Sequence, residues 1–101
     1  MAAAIRGHDQ IVANAIVAVG SQLTGTPCEV FTIDTAVVTL GGKVRLPDLG
    51  VNCGDADRRA KDPRLVVEVL PPSARGFDMY VKLDEYKALP SLSYILLIDP
   101  E

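Results

Sequence analysis

The sequence predicts an α/β fold: one mixed four-stranded sheet flanked by helices, in the order α-β-β-β-α-β. Three observations carry this. Apolar residues recur at helical spacing near the N-terminus, at Ile11, Ala15, Ala18, Val19 and Leu23. A β-branched stretch, Cys28 to Leu40, and a returning strand, Lys43 to Cys53, then flank Gly41-Gly42, which reads as a tight turn. Finally, a helical stretch separates two apolar runs, Leu65–Leu70 and Leu92–Ile98, so the strands they form are joined by a crossover within one sheet.

Taken in order, the first helix spans His8 to Leu23, with Gly25 as its stop. Its small apolar residues suit close packing on a sheet. Cys28 to Leu40 has strand composition but is long for one strand, so a bend near Asp34 is expected. The chain returns from Lys43 to Cys53, with Pro47 marking an edge or a bulge. Asp55 to Pro63 is a charged loop. Leu65-Val66-Val67-Glu68-Val69-Leu70 reads as a strand buried on both faces, ended by Pro71-Pro72. Phe77 to Leu89 is the second helix, closed by Pro90, and Leu92 to Ile98 is the last strand, ending at Asp99-Pro100. No repeat, low-complexity segment or linker divides residues 1–101, and the length suits one domain.

Composition narrows the function classes. Hydrophobic residues make up 49% and charged residues 23%, so a packed core is expected. Aromatics are 5% and Trp is absent, which makes that core aliphatic. The net charge of -3 argues against a nonspecific nucleic-acid coat, though carboxylates at a metal site are compatible with it. One His and two Cys without a CxxC pairing are too few for a usual zinc site. Cys28 and Cys53 are read as reduced, partly buried thiols, and a soluble, cytoplasmic protein is expected. No apolar run reaches membrane-spanning length, and the N-terminus lacks the apolar core of a signal peptide.

Glu68 is the most informative residue. An acid inside an apolar strand needs a partner, a proton or a metal ion, unless it sits at a strand end and reaches solvent. Asp48 follows Pro47. Alternation along Lys43–Cys53 places it on one face with Val44 and Leu46, although a turn Asp after Pro is the plainer reading. Two acids on neighbouring strands repel unless a cation lies between them. Lys82 follows Asp78 at i+4 and precedes Tyr86 by the same spacing. It is either half of a surface ion pair or a cation for a reacting phosphate. Ser73 has no His near it in sequence, Gly41-Gly42 lacks the Lys and Ser of a phosphate loop, and Tyr86 reads as core or rim.

Four segments in order now carry a resemblance. Arg45-Leu46-Pro47-Asp48-Leu49 supplies a PD pair, and Pro63 to Leu70 is an apolar strand with one acid. Asp78 to Tyr86 is a D-x-x-x-K-x-x-x-Y helix, and Tyr94 to Pro100 is a strand ending Ile98-Asp99-Pro100. This pattern is similar to that of the Uma-two family of restriction endonucleases, within the PD-(D/E)xK nuclease superfamily. His8, which by itself reads as a helix-start residue, matches a recurrent His of that family. The family also places its lysine on the helix after the second acid, as Lys82 stands here, so Leu70 in the superfamily's usual lysine position is no departure. Pro71 in place of a Ser and Ile95 in place of an aromatic residue are departures.

The resemblance implies a restriction-endonuclease-like core and metal-dependent endonuclease activity on DNA. Asp48 and Glu68 would hold Mg²⁺ or Mn²⁺ with the backbone carbonyl of Val69, and Lys82 would position the attacking water. Arg58, Arg59, Lys61, Arg64 and Arg75 are candidates for DNA-phosphate contacts, or else a solvated surface. Relative to the family the chain is expected to be short at both ends, with apolar edges that point to a homodimer. A catalytically inactive relative serving as a DNA-binding or protein-interaction module is the alternative. A purely structural domain would leave Glu68 without a reason.

Overall fold

The computed structural model describes residues 2–70 and 77–99, with side chains from 7 to 70 and 79 to 99. Helix α1 runs Ala2–Gln22. It starts earlier than periodicity suggested because Ala2, Ala3 and Ala4 are strong helix formers. Gly25, at φ 81°, provides the expected stop.

Each of the two long strands expected between residues 28 and 53 is broken into two pieces. Strand β1, Glu29–Thr32, ends in a turn closed by Thr35 N–H donating to Thr32 O at 2.9 Å, which is the bend expected near Asp34. Strands β2, Val37–Val38, and β3, Val44–Arg45, then form a separate hairpin around Gly42, whose φ is 84°. Pro47 has no N–H for a ladder, and pairing resumes only with β4, Leu49–Asn52. The alternation that put Val44, Leu46 and Asp48 on a core face therefore fails: Val44 is 60% and Leu46 52% exposed. Asp48 stands just before β4, where the break frees it to turn toward the end of the next strand.

Strand β5, Pro63–Val69, is followed by α2, Phe77–Lys87, and β6, Tyr94–Ile98. The main sheet has the order β1-β4-β5-β6, antiparallel except for the β5–β6 pair. The expected crossover helix is thus present, and the sheet is mixed and four-stranded.

Register assigns the faces. Phe31, Gly50, Val66 and Ile95 lie across from one another along one row. On that face Phe31 and Val66 pack with Val37 of the hairpin, Ala60 of the charged loop and Tyr86 of α2. Leu89, Leu92 and Ile95 close the cluster. Helix α1 packs against β1 and β5. Gly50 is required by crowding: a Cβ there would meet the Phe31 ring and lie 2.6 Å from Leu65 O. As expected of a doubly covered strand, Val66, Val67, Glu68 and Val69 of β5 are all buried.

Cys28 and Cys53 form a disulfide, which corrects the expectation of two thiols. The cause is register. Glu29 pairs with Asn52, so the residues just outside that pair face each other, with Cα atoms 4.0 Å apart. Among the described residues no helix is long and apolar enough to cross a membrane. Arg75, Ser73 and the Pro71-Pro72 strand end lie outside the described residues.

Candidate active site

Leu49 pairs with Val67 in an antiparallel register, so Asp48, one residue earlier, arrives opposite Glu68, one residue later. The Val69 N–H donates to Asp48 Oδ2 at 2.7 Å, which fixes the carboxylate at the end of β5. Two residues distant in sequence are thereby brought together at one end of the sheet.

Glu68 is 6% exposed, and it does not reach solvent as a strand-end acid would. Tyr86 Oη donates to its Oε2 at 3.0 Å, and Lys82 Nζ stands 3.8 Å from the same oxygen. Lys82 and Tyr86 are one helical turn apart, so α2 presents both to Glu68 from a single face. Lys82 is thus directed to the buried acid; the side chain of Asp78 lies outside those described. Helix α2 is anchored by Glu85, whose Oε1 accepts from Arg45 Nε at 2.6 Å across to the hairpin.

The electrostatics follow from burial. Burial pushes the Glu68 carboxyl above the usual glutamate range; the Lys82 charge and the Tyr86 hydrogen bond oppose this, while the negative charge of Asp48 adds to it. The Tyr86 hydroxyl is pushed far up by its own burial and then by the neighbouring Glu68 charge, so it remains a proton donor.

His8 lies within α1, not at its start, and its ring reaches this site. Nε2 is 2.9 Å from Val69 O and 3.4 Å from Asp48 Oδ2. A lone His on an apolar helix gives no sign of this, because its partner is 61 residues away. Tyr86, read as core or rim, is core at 1% exposure, and it is also the hydrogen-bond donor to Glu68, which its sequence position did not show.

The other cations are placed differently. Arg59 and Lys61 stand 3.8 and 3.7 Å from Asp57, and Arg64 lies 3.0 Å from Asp62. Arg58 and Arg59 run beside Ala36 rather than beside the acids. Arg64, near the start of β5, is about 13 Å from Glu68 at the rise of an extended strand.

Oxygen donors suited to a small divalent cation are present: the Asp48 and Glu68 carboxylates and the Val69 carbonyl. The Val69 carbonyl and Asp48 Oδ2 both face His8 Nε2, which sets these two donors side by side at the end of β5. The raised Glu68, held near a second negative charge, is an acid that a cation would stabilise. Among the described residues no three His, Cys, Asp or Glu side chains form a metal cluster. The Asp48, Glu68 and Val69 oxygens are of the kind that would suit a divalent cation such as Mg²⁺, which takes carboxylate oxygens and retains waters.

The fold around these residues is a restriction-endonuclease-like core, a mixed sheet with helices packed on it. The chain matches, over residues 1–101, the family model Uma2, described as "Putative restriction endonuclease", and it belongs to that family. No curated protein and no solved structure matches it.

Proposed function

We propose that this domain is a metal-dependent endonuclease that hydrolyses DNA phosphodiester bonds, with Asp48, Glu68 and Lys82 as its catalytic residues. The observation that carries this reading is the placement of Lys82 Nζ 3.8 Å from a buried Glu68 that lies opposite Asp48. A structural ion pair has no need of a second acid beside it. Asp48, Glu68 and the Val69 carbonyl would hold Mg²⁺ or Mn²⁺. Such an ion lowers the pKa of a bound water and offsets charge on a phosphate.

The chain's own residues have separate tasks. Asp48 is oriented by the Val69 N–H, so one of its oxygens remains for the cation. Tyr86 holds Glu68 in one rotamer through Oε2. Lys82, one third exposed, extends from the buried acid toward solvent, where it would orient the attacking water against the scissile phosphate. Arg58, Arg59, Lys61 and Arg64 would contact phosphates, a role that neighbouring acids weaken for Arg59, Lys61 and Arg64. A second copy of the chain is the partner proposed for edge strand β6, where Tyr94 is 72% and Leu96 49% exposed.

The test is cleavage of supercoiled plasmid with Mg²⁺ or Mn²⁺. Wild type should nick or linearise the plasmid, chelator should abolish this, and Lys82→Ala should lower the rate about 10²-fold or more. A folded wild type that binds metal but leaves plasmid intact would overturn the proposal and favour the inactive DNA-binding relative.

A further inference from the structure

His8 is the titratable side chain at this site for which the chemistry above has no task. Helix α1 delivers it from the opposite end of the chain. Its Nε2 meets two oxygens, Val69 O at 2.9 Å and Asp48 Oδ2 at 3.4 Å. Both are acceptors, so this contact requires the ring proton on Nε2. The other ring nitrogen is 3.9 Å from Asp9, beyond hydrogen-bond reach. The Val69 peptide group also gives its N–H to Asp48 Oδ2 at 2.7 Å. Imidazole, peptide and carboxylate thus close a triangle in which every member touches the other two.

We propose that His8 is a positioning residue for the metal site. Its Nε2–H pins the Val69 carbonyl and the Asp48 carboxylate in the relative orientation that a divalent cation needs. This inference rests on the metal reading given above. The arithmetic of lone pairs supports it. A carbonyl oxygen has two, of which His8 takes one; Asp48 Oδ2 accepts from Val69 N–H, leaving Oδ1. The triangle therefore uses the inner acceptor sites and leaves outer ones for an ion. Partners of this kind, hydrogen-bonded to a ligand rather than to the metal, typically change metal affinity by about 10–100-fold.

The experiment is calorimetric titration of Mn²⁺ into the full chain, for wild type, His8→Ala, His8→Gln and Asp48→Ala. Urea unfolding of each metal-free protein runs alongside. Gln carries its amide nitrogen at about the reach of the imidazole Nε2, so it restores a donor but cannot supply a ring nitrogen. His8→Ala should weaken Mn²⁺ binding about tenfold or more. His8→Gln should recover most of that affinity. Wild-type affinity in His8→Ala, with binding lost in Asp48→Ala, would overturn the role of His8 and leave the metal site standing. Absence of Mn²⁺ binding in folded wild type would instead remove the metal reading and this inference with it. Failure of Gln to rescue affinity would reduce His8 to a packing residue. Nitrogen coupling to bound Mn²⁺ in electron-spin-echo spectra, lost in His8→Gln, would make His8 a direct ligand and overturn a positioning role.

Discussion

Glu68, buried with its pKa raised, works against stability once it ionises. Its folded-state pKa is raised, chiefly by burial, so its neutral form favours folding. That contribution is complete below the ordinary glutamate pKa and is lost as pH climbs through the raised value. Metal-free protein should therefore be less stable at pH 8 than at pH 5, so far as this group is concerned. Glu68→Gln cannot ionise and should melt higher than wild type at pH 8, by about 1 kcal/mol or ~4–8 °C. At pH 4 the two proteins should melt together. A Gln variant that melts lower at pH 8 would mean that the ionised Glu68–Lys82 pair stabilises the fold on balance. Glu68 was legible in the sequence because an acid inside Leu65–Leu70 has so few bland explanations. Asp48 was found for a partly mistaken reason: alternation assigned it a face, whereas the break at Pro47 sets its direction. His8 reads as a helix-start residue and, although it matches a recurrent His of the family, has no place in the site expected from sequence, since nothing local marks a contact 61 residues away.

At the scale of elements, composition and turn residues located both described helices and strands β5 and β6, because those signals are local. The splitting of the earlier strands was half visible, in the bend near Asp34 and in Pro47. That the middle pieces leave the main sheet to form their own hairpin was not, because it depends on which strand β4 selects as its neighbour. The disulfide was hidden for the same reason: it requires the β1–β4 register. Thiol titration of unfolded, unreduced protein should find neither cysteine free. Opening the bridge, which spans 25 residues of sequence, should cost about 3 kcal/mol in urea unfolding. Gly50 sets the tolerance of the central sheet. A methyl group there would press on Phe31 and on the Leu65 carbonyl, and backbone yields little. Gly50→Ala should lose about 2–4 kcal/mol, a large fraction of the stability of a small domain, and lower the melting temperature accordingly. A variant with wild-type melting would mean that β1 and β5 can move apart freely.

For the whole molecule, the net charge of -3 and the paired cations leave little nonspecific attraction for DNA. On the proposed reading a bound cation supplies the missing positive charge at the one place that needs it. Binding selectively to the folded state, Mn²⁺ at a hundredfold excess over its Kd should stabilise the chain by about 2.7 kcal/mol. The rise in melting temperature should vanish with chelator and in Asp48→Ala. A rise that persists in Asp48→Ala would place the ion elsewhere.

The triangle of His8, Asp48 and Val69 bears on how the protein is made. Asp48 needs β5 in register, and Lys82 arrives only when α2 has docked beside the strand that follows it. These separations make the site a high-contact-order structure, among the slow pairings of a folding chain. On the ribosome, β6 emerges well after the acids have been synthesised. On the proposed reading, a growing chain would therefore carry Asp48, Glu68 and Lys82 apart until β6 pairs with β5, and plasmid cleavage would report that pairing.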